Sequence, residues 1–219
     1  MFEAVIFDWD GTLADTRNAI LFSFRKALQT INVEVDDEFV ERRIGTGAER
    51  TFKEILQLKG KQFDNALIKS LVKEKVQAEI EISKEIKLFP GARKLLESLH
   101  GKTKLALASM NNRPVIEHLL NQMDLNRFFE VILTVEEVTK FKPDPEIFLK
   151  TASYMNTKPE KCVVVEDSIF GVQAAKAAGM ACVAVLTGAY NKAELEKGKP
   201  ELMVNSLTET NKILSFILH

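Results

Sequence analysis

Residues 4–12, Ala4-Val5-Ile6-Phe7-Asp8-Trp9-Asp10-Gly11-Thr12, decide how this chain is read. Four apolar residues, two of them β-branched, run straight into an acid, and an Asp-Gly turn pair follows at once. A run this short that closes on turn chemistry reads as a buried parallel strand rather than a helix. Its carboxyl end therefore delivers two carboxylates, Asp8 and Asp10, to one place.

Outward from that strand the pattern changes. From about Asp15 to Ile86 the apolar positions recur at helical spacing: Ile20, Phe24, Ala27, Leu28 and Ile31, then Ile55 and Leu56, then Leu67, Leu71 and Ile80. Breaks fall near Asn32–Asp37, Gly45–Gly47 and Lys59–Lys61. From Phe89-Pro90-Gly91 onward, strands alternate with helices. Strands are expected at Lys104–Ala108, Val131–Leu133, Cys162–Val165, Ala181–Leu186 and Glu201–Val204, with helices at Pro114–Gln122, Pro145–Tyr154 and Phe170–Ala178 between them. Such alternation implies βαβ units and a doubly wound parallel sheet. The fold class is α/β, with a core of residues 1–14 and 87–219 and a helical cap domain inserted at 15–86.

Ligands of such sheets bind outside the carboxyl ends of the strands. The residues there are Asp8 and Asp10, then Ser109-Met110-Asn111, then Lys142-Pro143, then Glu166-Asp167-Ser168. Clustered carboxylates suit a hard divalent cation such as Mg²⁺. A carboxylate nucleophile can accept a phosphoryl group, a lysine can neutralise developing charge, and a second acid can serve the leaving oxygen.

On these residues the chain resembles the haloacid-dehalogenase-like hydrolases, in the branch with a helical cap after the first strand. The resemblance spans nearly the whole chain: Asp8-x-Asp10-Gly11-Thr12, Ser109, Lys142-Pro143, and Glu166-Asp167 within the run VEDSIFGVQAAKAAGM. In FKPDPEIF, Phe141 stands where the branch carries glycine. The resemblance implies an Mg²⁺-dependent phosphatase with Asp8 as nucleophile and metal ligand. Asp10 would be general acid/base, with its backbone carbonyl on the metal. Ser109 would hold the phosphoryl group and Lys142 would pair with it and with Asp8. Asp167 would bind metal, with Glu166 a ligand or its near neighbour. Gly11, Thr12 and Asn111 join the expected phosphate-binding set.

Other readings stay open at single positions. Ser109 also suits a helix N-cap ahead of Pro114. Met110 and the side chain of Trp9 read as packing. Gly45-Thr46-Gly47-Ala48 reads either as close backbone approach to an anion, with Gly45 and Gly47 binding substrate, or as a plain turn. Arg42, Arg43, Arg50 and Lys53 read as a solvated helical face more than a substrate clamp. His100, His118 and His219 match no motif.

Substrate choice falls to the cap, which carries 13 basic and 13 acidic residues over 15–85. IGTGAER and KLFPGARKLLESL resemble phosphoglycolate phosphatases, whereas VEDSIFG resembles β-phosphoglucomutases and sugar-phosphate phosphatases. Mutases of that kind carry a cap histidine and a cap-loop arginine, and the matching positions here hold Ile20 and Ala48. The expected function is hydrolysis of a small phosphorylated metabolite through an aspartyl phosphate. A β-phosphoglucomutase-like activity is the alternative, and a non-catalytic binding or regulatory protein on the same scaffold is the alternative of another class.

Composition bounds the rest. The 219 residues are 46% hydrophobic and 28% charged, enough to bury a sizeable core without staples. Thirty basic against 31 acidic residues leave a formal charge of −1, which argues against nucleic acid and anionic membranes as partners. Cys162 and Cys182 sit in apolar runs and read as buried free thiols. The amino terminus lacks a cationic leader and no apolar run reaches the ~18 residues of a membrane span, so a cytoplasmic monomer or homodimer is expected.

Overall fold

The computed structural model of the chain describes residues 1–219. The first strand, β1 (Ala4–Phe7), leads through a short strand β2 (Ala14–Asp15) into four helices. These are α1 (Arg17–Gln29), α2 (Asp37–Glu41), α3 (Ala48–Leu58) and α4 (Asn65–Glu81). The chain returns through β3 (Lys87–Leu88) and continues as α5 (Ala92–Leu99), β4 (Lys104–Ala108), α6 (Arg113–Gln122) and β5 (Val131–Leu133). Next come α7 (Glu146–Tyr154), β6 (Cys162–Glu166), α8 (Ile169–Ala177) and β7 (Ala181–Val185). The chain ends in α9 (Lys192–Glu196), β8 (Leu202–Val204) and α10 (Thr210–Leu218).

Six strands form one parallel sheet in the order β5-β4-β1-β6-β7-β8. The strand that opens the chain lies inside this sheet, with Ala4 opposite Lys104 on one side and Cys162 on the other. Because side chains alternate across a strand, its four apolar residues serve two cores. Val5 and Phe7 join the face covered by α5, α6 and α10. Ala4 and Ile6 join the face covered by α7 and α8, where Cys162 and Cys182 lie free and buried. This double burial explains why the strand reads as continuously apolar rather than alternating.

The helices α1 to α4 pack on a separate core that includes Ile20, Phe24, Leu28, Phe52, Ile55, Ile68 and Leu71. The rings of Phe24 and Phe52 lie 4.6 Å apart at its centre. This insertion leaves and re-enters through β2 and β3, an antiparallel ribbon that pairs Ala14 with Leu88 and Asp15 with Lys87. The ribbon has only two residues a side, too few for a periodicity to announce it.

Element boundaries shift by a residue or so from the sequence reading. One shift matters: α6 begins at Arg113 with Asn112 as its N-cap, so Ser109 does not cap that helix. No helix is long and apolar enough to cross a membrane.

Candidate active site at the sheet edge

The parallel topology sends the carboxyl ends of β1, β4 and β6 to one edge, and the segment after β5 folds back over it. Lys142 reaches that edge from the loop before α7 with no solvent exposure. Its Nζ donates to Asp8 Oδ1 and to Glu166 Oε1, each at 2.7 Å, and more distantly to the Ala108 carbonyl at 3.4 Å. The ammonium also sits 4.9 Å from the centre of the Phe148 ring. Burial alone would lower this lysine, but Asp8 and Glu166 more than offset it and hold it above the ordinary lysine range.

Glu166 is pinned from its other side as well. Its Oε2 accepts from the amides of Asp167 and Ser168 and from the Ser168 hydroxyl, all at 2.9 Å. Ser168 in turn caps α8 by accepting from Gly171 N. A carboxylate so held needs room, and glycine supplies it: a Cβ on Gly171 would stand 1.8 Å from Glu166 Oε1. Asp167 is similarly placed between Gly11 and Gly188, where a Cβ would approach its Oδ2 to 2.3 and 1.8 Å.

Asp8, Glu166 and Asp167 are buried and bring one carboxylate oxygen each within 4.8 Å of one another. Burial, opposed by Lys142 and reinforced by Glu166 and Asp10, pushes Asp8 up to about 8. Burial and then the negative fields of Glu166 and Asp8 hold Asp167 well above the ordinary carboxylate range. Three acids against one lysine leave an excess of negative charge in a dry volume. Hard oxygen donors with that excess fit a divalent cation, which would let all three ionise.

Asp10 lies beside this cluster, and burial followed by the field of Glu79 pushes it up to about 6 against Lys75 and Asn111. Asn111 Nδ2 donates to Asp10 Oδ1 at 3.2 Å, and the Ser109 hydroxyl faces Asp10 Oδ2 at 3.4 Å. The structure thus brings Asp8, Asp10, Ser109, Lys142, Glu166 and Asp167 together.

Three residues expected to contact phosphate have their polar groups occupied. The amide of Gly11 donates to Ala14 O and that of Thr12 to Trp9 O. The Thr12 hydroxyl donates to Asp167 Oδ1 at 2.9 Å. Asn111 is held by Asp10, Glu79 and Lys75. In this structure Gly11 and Thr12 shape the setting of Asp167, and Asn111 holds Asp10; none keeps a side-chain donor free for an anion. Trp9 and Met110 are buried in the core, as their packing reading expects.

The glycine loop is no free turn between helices. Gly45 and Gly47 adopt φ of 87° and 92° and rest against core side chains, Gly45 near Ser168 and Gly47 near Met110, Val135 and Phe141. Together with Asp10, Lys75 and Asn111 they line a cavity of about 30 Å³. A larger cavity of about 400 Å³ opens on the Asp167 side, lined by residues that include Arg17, Glu41, Thr187 and Tyr190.

The solvated-face reading of the basic quartet needs correction at Arg42 and Arg43. The Arg42 guanidinium spans from cap to core, meeting Glu194 and the Ala189 carbonyl and lying 4.2 Å from the centre of the Tyr190 ring. Tyr190 donates back to the Arg42 carbonyl at 2.6 Å. Arg43 lines the small cavity, held by Glu54 and the Phe39 carbonyl, and Arg50 shares Glu54. Arg50, 40% exposed and paired with Glu54, and Lys53, 37% exposed and paired with Glu49, fit a partly solvated helical face. The cause is tertiary: the segment after α2 folds down onto the core, so its cations find core and cap partners. His100 packs on Phe128 and His118 meets Ser83, both outside the acid cluster.

Lys75 and Glu79 are buried charges beside Asp10 that no motif in the sequence marks. They are fully inside, with side chains 4% and 0% exposed. The signal was available in the phase Leu71, Lys75, Glu79, a four-residue step from an apolar anchor. Gly171→Ala is expected to push Glu166 off its donors and weaken divalent-cation affinity by about 10–100-fold. Titration calorimetry on the folded variant checks this, and unchanged affinity would remove Glu166 placement from the metal argument.

Comparison with known proteins agrees with this geometry. Residues 5–185 match the family model described as haloacid dehalogenase-like hydrolase. The chain is 36% identical over 217 residues to a phosphorylated carbohydrates phosphatase of Thermotoga maritima, covering 94% of this chain and 99% of that protein. It is 33% identical over 193 residues to a β-phosphoglucomutase of Bacillus subtilis, covering 85% and 84%. The crystal structure of a hydrolase from Pseudomonas syringae superposes with a TM-score of 0.90 at 26% identity, covering 98% of this chain and 99% of that one. An α/β sheet with a helical insertion after its first strand, four acids and a buried lysine at the sheet edge, and a model match over most of its length establish that this chain belongs to the haloacid dehalogenase-like hydrolase family.

Proposed function

We propose that the protein is a phosphatase for a small phosphorylated metabolite, requires Mg²⁺, and works through an aspartyl phosphate on Asp8. The observation that carries this reading is the Asp8 carboxylate, set 2.7 Å from the Lys142 ammonium and within shared-ligand reach of Glu166 and Asp167. We divide the chain accordingly into a chemical core of residues 1–14 and 87–219 and a cap of 15–86.

Asp8, Asp167 and the Asp10 carbonyl would hold the metal, with Glu166 placing Lys142 and adding charge. The ion, when bound, neutralises phosphoryl oxygens and keeps Asp8 ionised. The free Asp8 oxygen attacks phosphorus, and the bond to the leaving oxygen breaks. Asp10 gives that oxygen its proton, so an alcohol departs. Asp10 then takes a proton from water, the water oxygen attacks phosphorus, and the bond to Asp8 breaks to release inorganic phosphate. Lys142 remains charged throughout and neutralises the transferring group, while the Ser109 hydroxyl lies within reach of it. The cap loop bearing Gly45 and Gly47 closes over the site and excludes bulk water.

A mutase would have to shield the aspartyl phosphate from water and bind a bisphosphate. The cavity beside Asp10 presents apolar Ile20 and Ala48 at the two positions where that chemistry would want a histidine and an arginine. Hydrolysis is the better-supported outcome. The relative that acts on phosphorylated carbohydrates, at 36% identity, supports sugar-sized substrates.

Asp8→Asn keeps the shape and removes the nucleophile, so phosphate release is expected to fall by a factor on the order of 10³ or more; activity near wild type would end the covalent mechanism. Chelation is expected to abolish turnover and added Mg²⁺ to restore it. The pH profile should depend on the leaving group. An alkyl phosphate needs the Asp10 proton, which is lost as pH rises through about 6, so its turnover should decline there. p-Nitrophenyl phosphate leaves as a stable anion and should decline less; identical profiles would count against Asp10 as the acid.

A further inference from the structure

We propose that Glu79 is a specificity-determining residue that turns the leaving-group pocket away from carboxylated substrates and toward neutral, hydroxyl-bearing ones. The proposal rests on the phosphatase reading above, because the group that Asp10 protonates must lie on the Asp10 side of the site.

That side is the cavity of about 30 Å³ lined by Asp10, Arg43, Thr51, Lys75, Asn111 and apolar cap residues. Lys75 and Arg43 are its two cations. Arg43 is drawn to Glu54 at 2.5 Å and to the Phe39 carbonyl at 3.0 Å, so its charge already has a partner. Lys75 would otherwise be the natural countercharge for a carboxylate. Instead Glu79, one helical turn further along α4, forms an ion pair with it in complete burial. Glu79 Oε1 also accepts from Asn111 Nδ2 at 2.8 Å, and Lys75 donates to Asn111 Oδ1 at 2.7 Å. The second Glu79 oxygen meets only the lysine, with no aligned hydrogen-bond donor.

A buried ion pair contributes little stability over well-packed apolar residues, and here it interrupts a helix face of Ile68, Leu71 and Ala78. Its consequence is for ligands. A carboxylate entering the cavity would lose its hydration and find both cations already paired and two acids, Asp10 and Glu79, nearby. A neutral hydroxyl meets a donor in Lys75 and an acceptor in Asp10 at far lower desolvation cost. Glu79 thus acts through Lys75, as a repulsive element against one substrate class.

Two substrates of one size separate the classes: 2-hydroxyethyl phosphate and 2-phosphoglycolate differ only by a hydroxymethyl in place of a carboxylate. The wild type is expected to favour 2-hydroxyethyl phosphate in kcat/KM. Glu79→Gln is expected to move the ratio toward 2-phosphoglycolate by about tenfold or more. A purely structural role would lower both substrates together and leave the ratio unmoved, which would overturn the proposal. So would a wild type that prefers 2-phosphoglycolate. If the variant does not fold, or neither compound turns over, inhibition of wild-type p-nitrophenyl phosphate hydrolysis by matched phosphonates decides. Weaker inhibition by phosphonoacetate than by 2-hydroxyethylphosphonate supports the proposal; equal or stronger inhibition overturns it. A wild type inactive on every phosphomonoester with Mg²⁺ would instead refute the phosphatase reading, and the proposal with it.

Discussion

A single ammonium, that of Lys142, holds the edge of the sheet together. It is completely buried, and it touches carboxylates from two neighbouring strands, Asp8 after β1 and Glu166 at the end of β6. An uncompensated charge in such a place would be prohibitively unfavourable, so the lysine and its acids are mutually required. The strand register that sets Phe7 beside Val165 is also what brings the two acids to the same height. Glu166 is held by three further donors, Ser168 caps α8, and Gly171 leaves the space in which the carboxylate sits. The site is thus an extension of sheet pairing and helix capping.

The same constraint explains the chemistry. One lysine cannot balance three acids, and burial, joined by the fields of the neighbouring carboxylates, raises Asp8 and Asp167 above their ordinary range. A divalent cation held by these carboxylates would balance the excess and let them ionise. The near-neutral total charge of −1 is consistent with this, because the positive potential that a phosphate needs is local. The overall balance disfavours polymeric anions and leaves small phosphorylated molecules.

Cap and core communicate through Asn111. This residue follows β4 in the core, yet its side chain joins Asp10 to Lys75 and Glu79 of α4. Asp10, the acid proposed to serve the leaving group, is therefore placed partly by a helix of the insertion. On the opposite side, the Arg42 contacts to Glu194 and Tyr190 hold the cap down without touching the acid cluster.

Much of this was legible in the residues alone. A four-residue apolar run before Asp8, strand–helix alternation after Phe89 and a helical period from 15 to 86 specify the layers, because burial patterns are local and periodic. Asp8, Asp10, Ser109, Lys142, Glu166 and Asp167 follow from the rule that parallel strands present their carboxyl ends to a ligand. Tertiary structure decided the rest. Which side chains have spare hydrogen-bonding capacity depends on partners distant in sequence, so Thr12 and Asn111 looked like phosphate contacts and prove to be occupied by Asp167 and by the cap. Arg42 looked solvated because its partner, Glu194, lies 152 residues away. Lys75 and Glu79 belong to no motif, and charges recur along α4 at Lys69, Lys73, Glu74 and Glu81. Only the packing of α4 over the core turns that face inward, where the low dielectric makes each charge count.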